Sequence, residues 1–146
     1  MNHLGKILLA TLALASTALA HTTKTVGTGT NQYKVIVGSR VEPATTMQLN
    51  GLDLIIRTMN DQPVENLQNS LKAEITTLDG KFKRELTIRA QFGKPGYYTD
   101  DYVFSQPGQY KIRVYGYIGT TSFDETYETH DVLKLEDLMF PPVTGR

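Results

Sequence analysis

Successive stretches of this chain place apolar residues at every second position, and that spacing points to a β fold. Tyr33, Val35 and Val37 flank Lys34, although Ile36 blurs the other face. Leu52, Leu54 and Ile56 alternate with Asp53 and Arg57, interrupted by Ile55. Leu71, Ala73 and Ile75 oppose Lys72, Glu74 and Thr76, and Phe82, Leu86 and Ile88 oppose Lys83, Glu85 and Arg89. Tyr98, Tyr102 and Phe104 share a parity, while Tyr110, Ile112, Val114 and Ile118 oppose Lys111, Arg113, Tyr115 and Tyr117. In a strand successive side chains point to opposite faces, so such alternation describes antiparallel strands with one face buried and one wet.

Turn residues fall between these runs. Asp79-Gly80 predicts a tight type I′ hairpin joining strands at 71–78 and 81–89. Gly93-Lys94-Pro95-Gly96, Gln106-Pro107-Gly108 and Gly119-Thr120-Thr121-Ser122 interrupt the later runs. Helical periodicity is weak throughout: Val64–Leu71 is short and carries two Asn, and Leu135–Met139 predicts a single turn. Short strands at this spacing specify an all-β fold, an immunoglobulin-like antiparallel β-sandwich of seven to eight strands. Within it, Phe104-Ser-Gln-Pro-Gly-Gln-Tyr110 predicts a tyrosine corner, with the Tyr110 hydroxyl bonding back to nearby backbone.

The ends set the expected organisation. Residues 1–20 read as a cleaved signal peptide: Lys6, an apolar run from Ile7 to Ala15, and small residues at Ala18 and Ala20. The run is shorter than the roughly 20 apolar residues a membrane-spanning helix needs. Beyond it, 21–32 is rich in Thr and Gly and is expected to be a flexible lead-in or a short edge strand. The sandwich is expected over 33–142, with 143–146 as a tail, and no later segment predicts a transmembrane anchor. The expected location is the periplasm or the cell exterior.

Composition narrows the function classes. The whole chain is balanced at 15 basic and 15 acidic residues, and removal of Lys6 leaves a net charge of −1, so nothing favours nucleic acid as a partner. There are no cysteines, which excludes disulfide frameworks, zinc ribbons and thiol catalysis. No G-x-S-x-G elbow is present. The adjacent pair Asp100-Asp101 is expected to split across the two faces of a strand and so not to act together. The expectation is a protein that is not an enzyme and carries no cofactor.

Several short motifs recur in order: Val41-Glu42-Pro43-Ala44, Asn50-Gly51-Leu52-Asp53-Leu54, Pro63-Val64-Glu65-Asn66-Leu67, Phe92-Gly93-Lys94-Pro95-Gly96-Tyr97-Tyr98-Thr99 and Asp124-Glu125-Thr126-Tyr127. Over most of 33–142 this arrangement resembles a group of uncharacterised exported bacterial immunoglobulin-like proteins, which implies fold and export without an activity. More distantly the chain is similar to the small copper-resistance sandwich domains of the CopC and YtkA type. That resemblance implies a copper site at a mature N-terminal histidine. Cleavage after Ala20 would give His21 a free amine beside its imidazole, with His130 as second arm and Asp131 as an oxygen donor. Thr129-His130-Asp131 departs from the Asp-x-His order of that type.

The remaining candidates are surfaces. Met47, Met59 and Met139 are scattered and read as core or gap-filling residues rather than soft metal ligands. Asp124, Glu125, Glu128, Asp131, Glu136 and Asp137 form an acidic stretch without calcium-loop spacing. Tyr115 and Tyr117, with Lys111 and Arg113, make an outward strand face that either packs across strands or receives a partner. The preferred expectation is a binding or scaffold domain for an envelope protein or small ligand, with copper carriage as the alternative. A dimer through an unpaired edge strand is compatible with both.

Overall fold

The computed structural model of the protein describes residues 21–144; the expected signal peptide and the last two residues lie outside them. Among the described residues ten strands run in chain order: β1 (His21–Thr28), β2 (Asn31–Ser39), β3 (Leu49–Thr58), β4 (Leu71–Thr77), β5 (Lys83–Leu86), β6 (Arg89–Ala90), β7 (Tyr97–Thr99), β8 (Asp101–Val103), β9 (Tyr110–Ile118) and β10 (Thr121–Glu128). One sheet has the order β1-β2-β3-β7-β6, with β8 also paired to β3, and the other has the order β10-β9-β4-β5. Every strand pairing is antiparallel. The all-β sandwich is as expected. The strand number exceeds seven to eight because one irregular margin is broken into the short pieces β6, β7 and β8.

Period-two patterning becomes burial directly. Val35, Leu52, Leu54, Ile56, Ile112 and Val114 are wholly buried between the sheets, joined by Tyr98 and Tyr127. Each fully buried aliphatic side chain contributes about 1.5–3 kcal/mol relative to exposure. Ile36 and Ile55, which blur the pattern, sit opposite each other on the outer face, where they share apolar area. The predicted corner forms: the Tyr110 hydroxyl donates to the Gln106 carbonyl at 2.6 Å. A single 3-10 turn at Leu135–Leu138 also forms.

Three local expectations are corrected. Of the two readings of 21–32, the edge strand holds and the flexible lead-in does not: β1 ends its sheet and pairs with β2 from His21–Gly38 to Thr28–Asn31, and Val26 is buried in the core. Its threonines are β-branched and suit a ladder better than a free tail. The stretch 81–89 is not one strand. β5 belongs to the four-stranded sheet and β6 to the other, and the Thr87 amide at the crossing donates to Asp100 Oδ2 at 2.9 Å. The Asp79-Gly80 connection is longer than a two-residue hairpin. The Thr77 amide donates to the Phe82 carbonyl, enclosing residues 78–81, with Gly80 at φ +72°. Asp79 fixes this loop by accepting from Lys81 N and Thr77 Oγ1.

Candidate functional site

The two long margins of the sandwich are finished differently. Where β1 faces β10, Lys24 closes the seam, its Nζ reaching the Thr126 carbonyl at 2.7 Å and Glu125 Oε2 at 3.2 Å. The same ammonium lies 5.1 Å from the centre of the Tyr127 ring. On the other margin, where β5 faces β8, a charge cluster clamps one end and the seam beyond it is open.

The clamp is built on Asp100 and Asp101. Asp101 accepts from Arg40 at 2.6 Å and from Arg89 at 2.7 Å, while Arg89 also meets Asp100 at 3.3 Å. Arg84 reaches from β5 to the Asp101 carbonyl at 3.0 Å. The expectation that the two carboxylates would act apart is therefore corrected. β7 ends at Thr99 and β8 starts at Asp101, so the chain is not a regular strand at Asp100 and one guanidinium engages both groups. Arg40, then Arg89, hold the Asp101 carboxyl below the usual carboxylate range.

Past the clamp lies a groove of about 320 Å³ between the sheets. Ile75, Phe82, Val103, Phe104 and Tyr110 give it apolar walls, and Lys83 and Arg84 stand at its rim. Phe82 and Val103 are 70% and 51% exposed, large values for apolar side chains beside a cavity. Val103 pairs across the ladder with Leu49, which is also exposed. The Phe104 and Tyr110 rings pack against each other, tilted by 41° with centres 4.6 Å apart, and with Gln106 they bring the tyrosine corner into the groove wall.

Among the described residues no strand pairs with the outer edge of β5 beside this groove. The bond from the Thr77 amide to the Phe82 carbonyl sets the alternation, directing the peptide groups of Phe82, Arg84 and Leu86 toward β4. Those of Lys83 and Glu85 then point outward. Both residues are exposed. Two peptide units with free donors and acceptors, next to an apolar groove, constitute the chemistry by which a sheet accepts another strand.

The expected metal ligands are placed elsewhere. His21 projects from β1 on the outer face, where its Nε2 lies 2.9 Å from Asp53 Oδ2. The bond crosses Gly38, the β2 residue registered opposite both, whose missing side chain leaves room. Gln91 Nε2 donates to the other Asp53 oxygen at 3.0 Å. His130 and Asp131 are exposed after β10, where the chain is held at Thr129 and Val132 by backbone bonds to Tyr110 and Gly108. Among the described residues no three His, Cys, Asp or Glu side chains converge to hold a metal, so His21, His130 and Asp131 are not gathered into such a group. Met47, Met59 and Met139 are 65%, 44% and 40% exposed, which corrects their reading as core residues.

The four residues of the expected tyrosine face differ in their surroundings. Arg113 lies 4.3 Å from the Tyr115 ring centre and is fixed by Asp124 at 2.6 Å and Glu74 at 3.4 Å. Tyr115 is thus covered by a paired arginine. Tyr117 is 57% exposed, while Lys111 is half-buried opposite Glu128. Within the acidic stretch, Asp124 pairs with Arg113 and Glu125 with Lys24, which spends two of its charges on the fold. No helix among the described residues is long and apolar enough to cross a membrane.

The fold is similar to that of one solved structure at low sequence identity, with a weaker likeness to a second. A DUF4426 family protein from Pseudomonas aeruginosa is similar over 76% of this chain and 94% of its own, with a TM-score of 0.54 and 13% identity. The Lin-41 filamin domain covers 66% of this chain and 90% of its own, with a TM-score of 0.42 and 13% identity. No protein-family model matches the sequence, and no curated protein matches it either.

Proposed function

We propose that this chain is a non-enzymatic binding or scaffold domain of the cell envelope, engaging its partner by strand addition along β5. The observation that carries this reading is the outward-facing peptide edge of Lys83 and Glu85 beside a groove whose exposed walls include Phe82 and Val103. Main-chain bonds would supply affinity and the groove would select the side chains that enter it. Placement in the envelope rests on the signal-like pattern of residues 1–20. A photocrosslinking side chain at Phe82, in the producing cell, is expected to give discrete adducts, and one at Ser122 on β10 to give few. Equal yields at both positions, or none at Phe82, would overturn the reading.

Copper carriage is a second reading, favoured by the His21–Asp53 pair. A carboxylate on Nε2 leaves Nδ1 free on the imidazole, and metal-binding histidines are commonly oriented this way. With cleavage after Ala20, the amine and Nδ1 of His21 would form the chelate. A Cu(II) titration of protein starting at His21, beside protein with one extra N-terminal residue, tests it. Equal binding by both would remove this alternative.

A further inference from the structure

We infer that the strand added at β5 is the β5 of a second copy of this chain, paired antiparallel about a twofold axis at Arg84. This rests on the reading of β5 as the binding edge and names its occupant. Register along β5 selects this pairing. Lys83 and Glu85 are the two residues whose peptide groups point outward, so they must form the hydrogen-bonded pairs of any added antiparallel strand. In a twofold arrangement centred on Arg84, Lys83 of each copy lies opposite Glu85 of the other. Two such pairs form, on the same outer face and with opposite charges side by side.

The neighbouring registers are excluded by the same residues. A shift by two places Lys83 against Lys83 and runs the pairing into the 78–81 loop, or places Glu85 against Glu85 and runs it onto the Thr87 amide that Asp100 already holds, and a shift by one turns the outward peptide groups away from each other. The edge thus rejects indiscriminate pairing through its charges while remaining complementary to itself. Arg84 meets its own copy at the axis but already donates to the Asp101 carbonyl and faces Asp100 at 3.8 Å, which holds it within its own protomer. Thr87 is the next residue of that parity, and Asp100 already accepts from its amide, which limits the pairing to this short segment. The four-stranded sheets of two copies would become one eight-stranded sheet, and exposed Phe82 and Val103 flank the junction.

The test is sedimentation equilibrium of the wild-type protein, the single variants Lys83→Glu and Glu85→Lys, their equimolar mixture, and the double swap. The wild type is expected to dimerise. Each single variant should do so about thirty-fold more weakly, because two attractive cross-strand pairs become repulsive. The mixture should regain the wild-type association as a heterodimer, and the double swap should regain it alone. Lys83 also lies 3.6 Å from Glu74 in its own chain, so thermal melts accompany each variant. Loss of a purely internal contact would not be restored by mixing two damaged chains. A wild type that stays monomeric to about 1 mM, or a mixture that associates no better than its components, overturns the inference. In that event, Phe82 adducts at a mass other than twice that of the chain would leave the strand-addition reading standing, and the absence of adducts would remove both.

Discussion

Two buried tyrosines in neighbouring strands have opposite hydrogen-bond states, and removal of each hydroxyl should therefore have different effects. Tyr98 is 1% exposed; its hydroxyl donates to the Val64 carbonyl at 2.6 Å and accepts from the Leu67 amide at 3.2 Å. It pins the 59–70 connection to the core. Tyr98→Phe deletes both bonds and strands a buried amide at Leu67. At about 1 kcal/mol per bond, with an added cost for the unpaired group, the loss is about 2–3 kcal/mol. The unfolding entropy of a domain of about 124 residues is roughly 0.26 kcal/mol/K, so Tm should fall by about 8–12 °C. Tyr102 is 5% exposed, and its hydroxyl has no partner in hydrogen-bond geometry; buried Ser39 is near enough to favour its ionised form but does not satisfy that geometry. Burial dominates and pushes the Tyr102 phenol well above its ordinary value. Tyr102→Phe removes a desolvated hydroxyl without breaking a bond and should change stability by less than about 0.5 kcal/mol, or raise it. Denaturant melts of both variants at neutral pH give the comparison. Equal losses, or a larger loss at Tyr102, would refute the hydrogen-bond assignment.

Other consequences are separable. Tyr110→Phe breaks the corner bond to Gln106 and should cost about 1 kcal/mol in a urea melt, less than Tyr98→Phe. Gly116 sits in β9 at φ +132°, and a Cβ there would collide with the Ser70 carbonyl, so Gly116→Ala should destabilise by roughly 2–4 kcal/mol and lower the yield of folded protein. Asp101 and Asp124 are held below their ordinary carboxylate values, chiefly by Arg40 and Arg113. Depressed folded values give stabilisation that is full above about pH 4 and lost as pH falls through the lower folded values. Carboxyl NMR titrations should show both midpoints moving upward when the partner arginine is replaced by leucine.

Much of the sandwich was legible because its central strands are long and one-sided. The alternation in β3, β4 and β9 maps onto burial, and Pro107-Gly108 before Tyr110 marks the corner. The margins were not legible, since parity reports which face a side chain takes but not whether the opposite sheet reaches it. Phe82 shares parity with buried Leu86, yet it stands past the covered region and is 70% exposed. The groove therefore lay hidden in an apparently ordinary strand. The division of 81–89 between two sheets depends on Asp100 capturing Thr87, a contact across 13 residues that periodicity does not register. His21 could be picked out as a ligand type, but its pairing with Asp53 needs β1 and β3 to flank a glycine in β2. The open β5 edge was anticipated only as a general property of sandwiches; its position follows from the register.

Hydrogen exchange at the Lys83 and Glu85 amides tests the central claim most directly, because strand addition must bond those two groups. The account predicts rapid exchange in dilute protein and slowing of both amides together as the protein is concentrated or its partner added, with Arg84, already bonded to β4, little changed. Exchange at Lys83 and Glu85 that stays fast in the bound state, or protection that arises instead along β10, would contradict it.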